Sequence, residues 1–383
     1  MADMTYMTPL SEDFRNNREA LYKKLRDESP VFMTEQGAVI SRYDDVYAVC
    51  QDPMTFSSAG LRDVARPKMG SMDPPEHGIE LALMQSAFDK KYQDGLEETL
   101  RTLARSLITK AAAGTECDLI KDLVTPYFLE ATGVMLGLSA EQLEDLHMID
   151  HLVPLIFTTD PEVGPVTLEG ILERADALFT VVLEEHRANP RNDHTSALLA
   201  VGADSARAMT QIELLEYLFR FRNGNSLTSA VALGNGIELL ARHPEARAEL
   251  AANPALIPNA YMEMQRLDPP TLDANRITTR EVVVAGVTLP ANTVVRINSA
   301  SANLDERKFA DPGKFDIHRD ASGQLAMLTG EHYCFGAYMA CLESRIFLEE
   351  LLTTMPNFTP SGPPIRLKSL FYWGFESVPV SIP

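Results

Sequence analysis

Apolar residues recur along most of this chain at intervals of three and four, the period of a helix buried along one face. The pattern runs through "EHGIELALMQSAFDKKY" (76–92), from Asp94 to Ala112 and from Leu119 to Leu136. It returns in "TLEGILERADALFTVVLEEHRANP" (167–190), where Pro190 ends it, and over 210–244, the longest helical stretch. The centre of that stretch reads "RNGNS", a weak spot, since Gly costs about 1 kcal/mol there against Ala. Strand patterns are fewer. "PVFMTEQGAVISRYDDVYAVCQDP" (30–53) predicts a hairpin turning at Gly37, then a helix. "EVVVAGVTLPANTVVRI" (281–297) is β-branched, with turns at Ala285-Gly286 and Pro290-Ala291-Asn292, and 367–382 is also strand-like. No repeat, no βαβ alternation and no Gly-rich loop after a strand occurs, which argues against a nucleotide-binding sheet. The predicted class is mainly α with small β-sheets.

Composition narrows the function. Length alone, 383 residues, allows one large domain or two or three ordinary ones. The formal net charge of −20 disfavours nucleic acid and anionic membranes as partners. No run of about 18 apolar residues suggests a membrane span. The opening "MADMTYMTPLSEDFRNN" lacks the character of a secretory signal. Four scattered cysteines make neither a disulfide framework nor a Cys-x-x-Cys zinc site, so a reducing cytoplasm is the expected setting.

The chemistry concentrates in "MLTGEHYCFGAYMACLESR" (327–345). Cys334 follows a loop-forming stretch and precedes a helical one, so it stands just before a helix N-terminus. There the backbone N–H groups and the macrodipole favour a thiolate. Gly336 leaves room for a flat ligand to approach the backbone. Three readings stay open on these residues alone: a buried free cysteine, a nucleophile with His332 as base, or a soft ligand to the iron of a haem.

The segment resembles the haem-binding loop of the cytochrome P450 family, Phe-x-x-Gly-x-His-x-Cys-x-Gly-x-x-x-Ala-x-x-Glu. Gly330, His332, Cys334, Gly336, Ala340 and Glu343 match; Met327 stands for the Phe, and Leu328 stands where a second Gly is usual. Further matches follow in order. Glu263-x-x-Arg266 resembles the family's Glu-Arg pair, which Arg319 of "KFDIHRD" would join; read without the family, it is an ordinary i,i+3 surface ion pair. Arg276 matches a haem-propionate ligand, as does His77 of "DPPEH". The resemblance implies one domain over residues 1–383 with the family's triangular-prism fold. Haem b would lie between the long central helix and the Cys-loop helix. Cys334 would bind the iron, and His77, Arg276, His332 and Gly336 would hold the cofactor.

Departures from the family carry the functional detail. Aligned back from "LLARHP", the small pair of the long helix is Gly224-Asn225, and the acid and alcohol positions are Leu227 and Thr228. Gly224 and Asn225 suit the helix distortion the family shows here. Splitting dioxygen takes two protons, commonly supplied through an acid–alcohol relay; Leu227 cannot serve, whereas Thr228 can bond a water. Arg220, Asn223, Gly224, Leu227 and Thr228 fall on one face at helical spacing. Arg220 there suits a substrate carboxylate, or else reaches solvent or an acid of its own. Leu272, Asp273, Phe371 and Tyr372 align with pocket-lining positions. Leu81 and Cys341 stand where the family often has Arg for a propionate and for docking; Lys90, Lys91 and Arg345 remain nearby.

The resemblance therefore implies a monooxygenase acting on a small, polar or carboxylate-bearing molecule, a natural-product tailoring step. Ferredoxin and its reductase are the implied electron source, with part of the basic docking charge gone. The departures leave two alternatives: a haem-thiolate enzyme that uses peroxide or couples radicals, and a haem-binding sensor without turnover.

Overall fold

A computed structural model of the chain describes residues 10–61, 66, 69–158, 166–204 and 208–383. Most of the segment read above for a secretory signal therefore lies outside the described residues. Two compact units divide the chain: one takes the residues up to Leu81 and Met262–Phe335, the other Ala82–Tyr261 and Gly336–Pro383.

The first unit holds a five-stranded sheet. Its order is Val31–Thr34, Gly37–Ile40, Val294–Ile297, Ala274–Thr278 and Phe56–Ser57. Gly37–Ile40 runs parallel to Val294–Ile297, and the other pairs are antiparallel. Alternate side chains of these β-branched strands, among them Ile40, Val295 and Ile297, are buried with Val46, Leu289 and Phe309. The hairpin of Val282–Val284 and Val287–Leu289 turns through Ala285 and Gly286, both at positive φ (45° and 82°), which matches the strand twist.

The second unit is chiefly helical. The stretch 76–92, a single helix by its periodicity, instead breaks after Ala87 (the helix Glu76–Ala87), and a new helix, Lys90–Gly95, begins. Asp89 explains the break: extended at φ −74°, ψ 163°, it caps the new helix by accepting from the Tyr92 N–H at 2.7 Å. The stretch 119–136 opens with a π-helix, Leu119–Val124, before the α-helix Thr125–Leu136. That helix ends at Gly137 in the left-handed region (φ 67°), where a β-carbon would lie 2.3 Å from Asp193 Oδ2. The helix Leu168–Ala188 is capped by Thr167 and stops two residues before Pro190. Of the strand-like stretch 367–382, Phe375–Ser377 and Pro379–Ser381 form strands and Tyr372 a lone bridge; Pro379–Ser381 lies between Glu116–Asp118 and Thr359–Pro360.

The long central helix is α over Gln211–Arg222, π over Asn223–Ser229 and α again over Ala230–Arg242. The π turn falls on the weak "NGNS" run, where Gly and Asn propensity resists α-helix least. Thr228 and Ser229 steady it by bonding the carbonyls five residues back, of Asn223 and Gly224, each at 3.2 Å. Cys334 stands three residues ahead of the helix Ala337–Thr354. Among the described residues no helix is long and apolar enough to cross a membrane.

Candidate haem-thiolate site

The loop carrying Cys334 is closed on itself. The Cys334 N–H donates to the Met327 carbonyl at 3.0 Å. Leu328 takes φ 57°, the left-handed region that the family's glycine at this position would enter without strain. Gly330, at φ 72°, has no alternative: a β-carbon would lie 2.5 Å from the Cys50 carbonyl oxygen. The result is an exposed Cys334 thiol at the tip of a constrained turn.

Three basic side chains gather in the same unit. The rings of His77 and His332 lie 4.4 Å apart. Burial, then the neighbouring Arg276 and His77, depress the His332 pKa to about 4. Ser58 Oγ is 3.2 Å from His332 Nε2, and Glu331 Oε1 is 2.8 Å from His77 Nδ1. Arg276, buried on the strand Ala274–Thr278, donates to the Asn275 carbonyl at 2.7 Å. The carboxylates of Glu331 and Asp73 both act on this cluster, whose N–H groups suit further oxygen acceptors. A β-carbon at Gly336 would meet nothing within 4 Å, and among the described residues no group of three or more His, Cys, Asp or Glu could cage a metal. A metal taken by Cys334 would thus bring its remaining ligands with it. Within the first unit, one soft ligand and a cluster of N–H donors fit a haem with its two propionates.

In the second unit, Tyr372 is buried, and its hydroxyl donates to Asn223 Oδ1 at 3.0 Å. The Thr228 hydroxyl donates to the Asn223 carbonyl, which leaves its oxygen able to accept. Leu227 is half-buried and Phe371 exposed, its ring edge-on to Tyr372. A β-carbon on Gly224 would meet open space. Arg220 is not gathered into this group. Its side chain is 42% exposed, and Nε donates to Glu216 Oε1 at 2.6 Å, four residues back on the same helix. Asn225 turns inward: Nδ2 donates to Thr132 Oγ1 at 3.0 Å and to Glu343 Oε1 at 3.1 Å. In the first unit Leu272 is buried, and Asp273 lies 3.6 Å from Arg296 Nε, with burial raising its pKa.

Glu263 and Arg266 do not form a surface pair. Both side chains are 0% exposed. Arg266 bonds both carboxylate oxygens at 2.7 and 2.8 Å, and Arg319 Nε reaches Glu263 Oε1 at 3.0 Å. Arg266 and Arg319 also donate to the carbonyls of Asn303 and Ala310, pinning the irregular chain that leads to the Cys loop.

Of Lys90, Lys91 and Arg345, the cations expected near the docking face, Lys90 and Arg345 are engaged within the chain, and Lys91 is exposed. Lys90 bonds Asp94 at 2.6 Å and Tyr338 at 2.7 Å. Arg345 bonds Glu349 at 2.9 Å and Glu97 at 3.0 Å, while Arg101 bonds Glu97, Glu349 and Glu350.

Sequence reasoning missed Ser58, Glu331, Asp150 and Arg222. The last two form a buried ion pair beside the π segment. A signal for Arg222 was present in "FRFRNGNS": arginines two apart on a helix point in opposed directions, so Arg220 and Arg222 cannot both reach solvent.

Comparison with known proteins agrees with this geometry. A family model described as cytochrome P450 matches residues 255–364. The chain is 31% identical to the steroid C26-monooxygenase of Mycobacterium tuberculosis over 96% of its own length and 95% of the relative's. It is 32% identical to the erythromycin C-12 hydroxylase of Saccharopolyspora erythraea over 90% and 88%. The solved structure of cytochrome P450 CYP109Q5 from Chondromyces apiculatus, 29% identical, superposes with a TM-score of 0.89 over 98% of this chain and 97% of that one. Likeness of this extent in both sequence and fold places the chain in the cytochrome P450 family, as a haem-thiolate oxidoreductase.

Proposed function

We propose that this cytochrome P450 is a monooxygenase that tailors a small natural product bearing polar groups, and that the whole chain works as one such domain. The observation that carries the reading is the exposed Cys334 thiol on its closed loop, in the same unit as His77, His332 and Arg276. Relatives named as a steroid C26-monooxygenase and an erythromycin C-12 hydroxylase support a small-molecule substrate.

Bound haem would supply dioxygen activation, adding one oxygen atom to substrate while the other leaves as water with two electrons and two protons. Cys334 would ligate the iron, with His77, His332 and Arg276 bonding the propionates. Thr228 has a narrower task. Its proton is shared between the Asn223 carbonyl and the Tyr372 hydroxyl, so its oxygen would hold a water by accepting. Passing a proton would require it to release that carbonyl. Leu227 can offer neither proton nor acceptor, so the proton supply would fall to water and to the substrate's own polar groups. Asn223 and Tyr372 would face the polar part of the substrate; the Arg220 charge is already answered by Glu216.

The test is spectroscopic. The reduced protein with carbon monoxide should give the thiolate-type Soret band, and Cys334→Ala should abolish it. A wild-type chain that binds no haem would overturn the reading. A second reading, turnover with peroxide alone, is favoured by Leu227 and by the engagement of Lys90 and Arg345 within the chain. Efficient NADPH-coupled turnover through ferredoxin, with none from peroxide, would exclude it.

A further inference from the structure

Each ring of the histidine pair in the first unit has one nitrogen engaged. Glu331 Oε1 lies 2.8 Å from His77 Nδ1, and Ser58 Oγ lies 3.2 Å from His332 Nε2. The two contacts differ in kind. A carboxylate only accepts, so His77 donates Nδ1–H to Glu331 and can offer a second N–H only as the cation. A serine hydroxyl both donates and accepts, so a neutral His332 can carry its proton on either nitrogen. The burial of Ser58 decides between them. It is 1% exposed, and among the described residues its Oγ has no hydrogen-bond partner besides His332 Nε2. A buried hydroxyl proton needs an acceptor, so Ser58 donates and Nε2 accepts. The ring proton then stands on Nδ1. That nitrogen has no hydrogen-bond partner among the described residues and is not sealed off, the ring being half-buried.

Ser58 is itself held from behind. It follows the strand Phe56–Ser57, which pairs with Ala274–Thr278, the strand of Arg276. Asp73 accepts the Ser58 N–H on Oδ1 at 2.9 Å and the Ser57 hydroxyl on Oδ2. The Ser57 oxygen in turn accepts from the Ala59 N–H at 3.0 Å, which closes the turn around Ser58. The Asp73 carbonyl accepts from the His77 N–H, also at 3.0 Å. Asp73 thus serves both histidines, His77 by its main chain and His332 through Ser58.

We propose that Ser58, pinned by Asp73, is a positioning residue that keeps the His332 proton on Nδ1, where it would donate to a haem propionate. The proposal rests on the haem reading and names the group that fits a neutral His332 for that contact.

The holoenzyme, reduced and bound to carbon monoxide, is studied by NMR with its histidine nitrogens isotopically labelled, at about pH 8, where an ordinary imidazole is neutral. His332→Gln assigns the His332 signals by their loss. In wild type, Nδ1 should carry the proton, and Nε2 should read as a bare nitrogen that accepts a hydrogen bond. In Ser58→Ala the Nε2 signal should leave that position. Haem transfer to apomyoglobin should then quicken about threefold or more, the scale of one hydrogen bond. Ser58→Thr keeps the hydroxyl and should match wild type in both readouts. The proposal is overturned if Nε2 carries the proton in wild type, if its signal is unmoved in Ser58→Ala, or if haem loss there quickens less than about threefold. Faster loss with an unmoved signal would mark a merely structural role. Should Ser58→Ala load no haem, the wild-type signals alone decide. A wild type without the thiolate Soret band overturns the haem reading and this proposal with it, whereas a normal band with the proton on Nε2 overturns the proposal alone.

Discussion

Glu343 is fully buried on the Cys-loop helix, and Asn225 is its hydrogen-bond donor. Burial raises its pKa from 4.5 to about 8, against the smaller lowering by Asn225. Between those values the folded chain holds a proton that the unfolded chain has lost. Stability is therefore greatest below about pH 4.5 and declines as pH rises towards 8, by on the order of 5 kcal/mol for this group alone. Glu343→Gln cannot titrate, so urea midpoints of wild type and variant should draw apart between pH 5 and 8 in the variant's favour; parallel profiles would refute this. The family motif made Glu343 visible in the sequence as a match, but not as a proton store, because burial and the Asn225 contact are tertiary. Arg222 and Asp150 were hidden for a related reason. They lie 72 positions apart, and an arginine in a helical pattern reads as solvent-facing until the opposite face is known to be buried.

At the scale of elements, the periodicity of apolar residues located the main helices and the hairpins, because a buried stripe repeats whatever it packs against. It missed what one polar residue decides, such as the new helix begun by Asp89. The π turn was legible as a weakness at Gly224, but its i→i+5 bonding was not, since propensity marks where a helix yields and not how. The irregular chain before the Cys loop has no period at all, and Glu263 holds it through Arg266 and Arg319. Glu263→Gln would leave a buried guanidinium without its countercharge, costing about 3–5 kcal/mol. Its urea midpoint should fall sharply and its haem yield with it. Arg319→Gln, which removes the more exposed partner, should cost less; equal losses would show that the carboxylate is not the hub.

For the whole molecule, a net charge of −20 opposes the approach of any acidic electron donor, while Lys90 and Arg345, which could offset it locally, are paired with Asp94, Glu97 and Glu349. Salt shortens the range of that repulsion, from about 30 Å at 0.01 M to about 10 Å at 0.1 M. Turnover at limiting acidic ferredoxin should therefore rise with ionic strength over this interval. A fall, the mark of attractive docking, would show that a basic patch still operates. The π turn of the central helix bears on the chain as a written string. Seven residues, Asn223–Ser229, occupy a widened turn. Deleting one would let the helix close to α geometry, and six residues at about 100° each sweep nearly the angle that seven sweep in the widened turn, so the continuation would stay close to its present phase. A deletion in the α part that follows, before Asn235, would instead swing the rest by about 100°, and Asn235 would lose the Trp373 carbonyl it now bonds at 2.8 Å. The widened turn is the place in this helix where the loss of one residue disturbs the packing beyond it least.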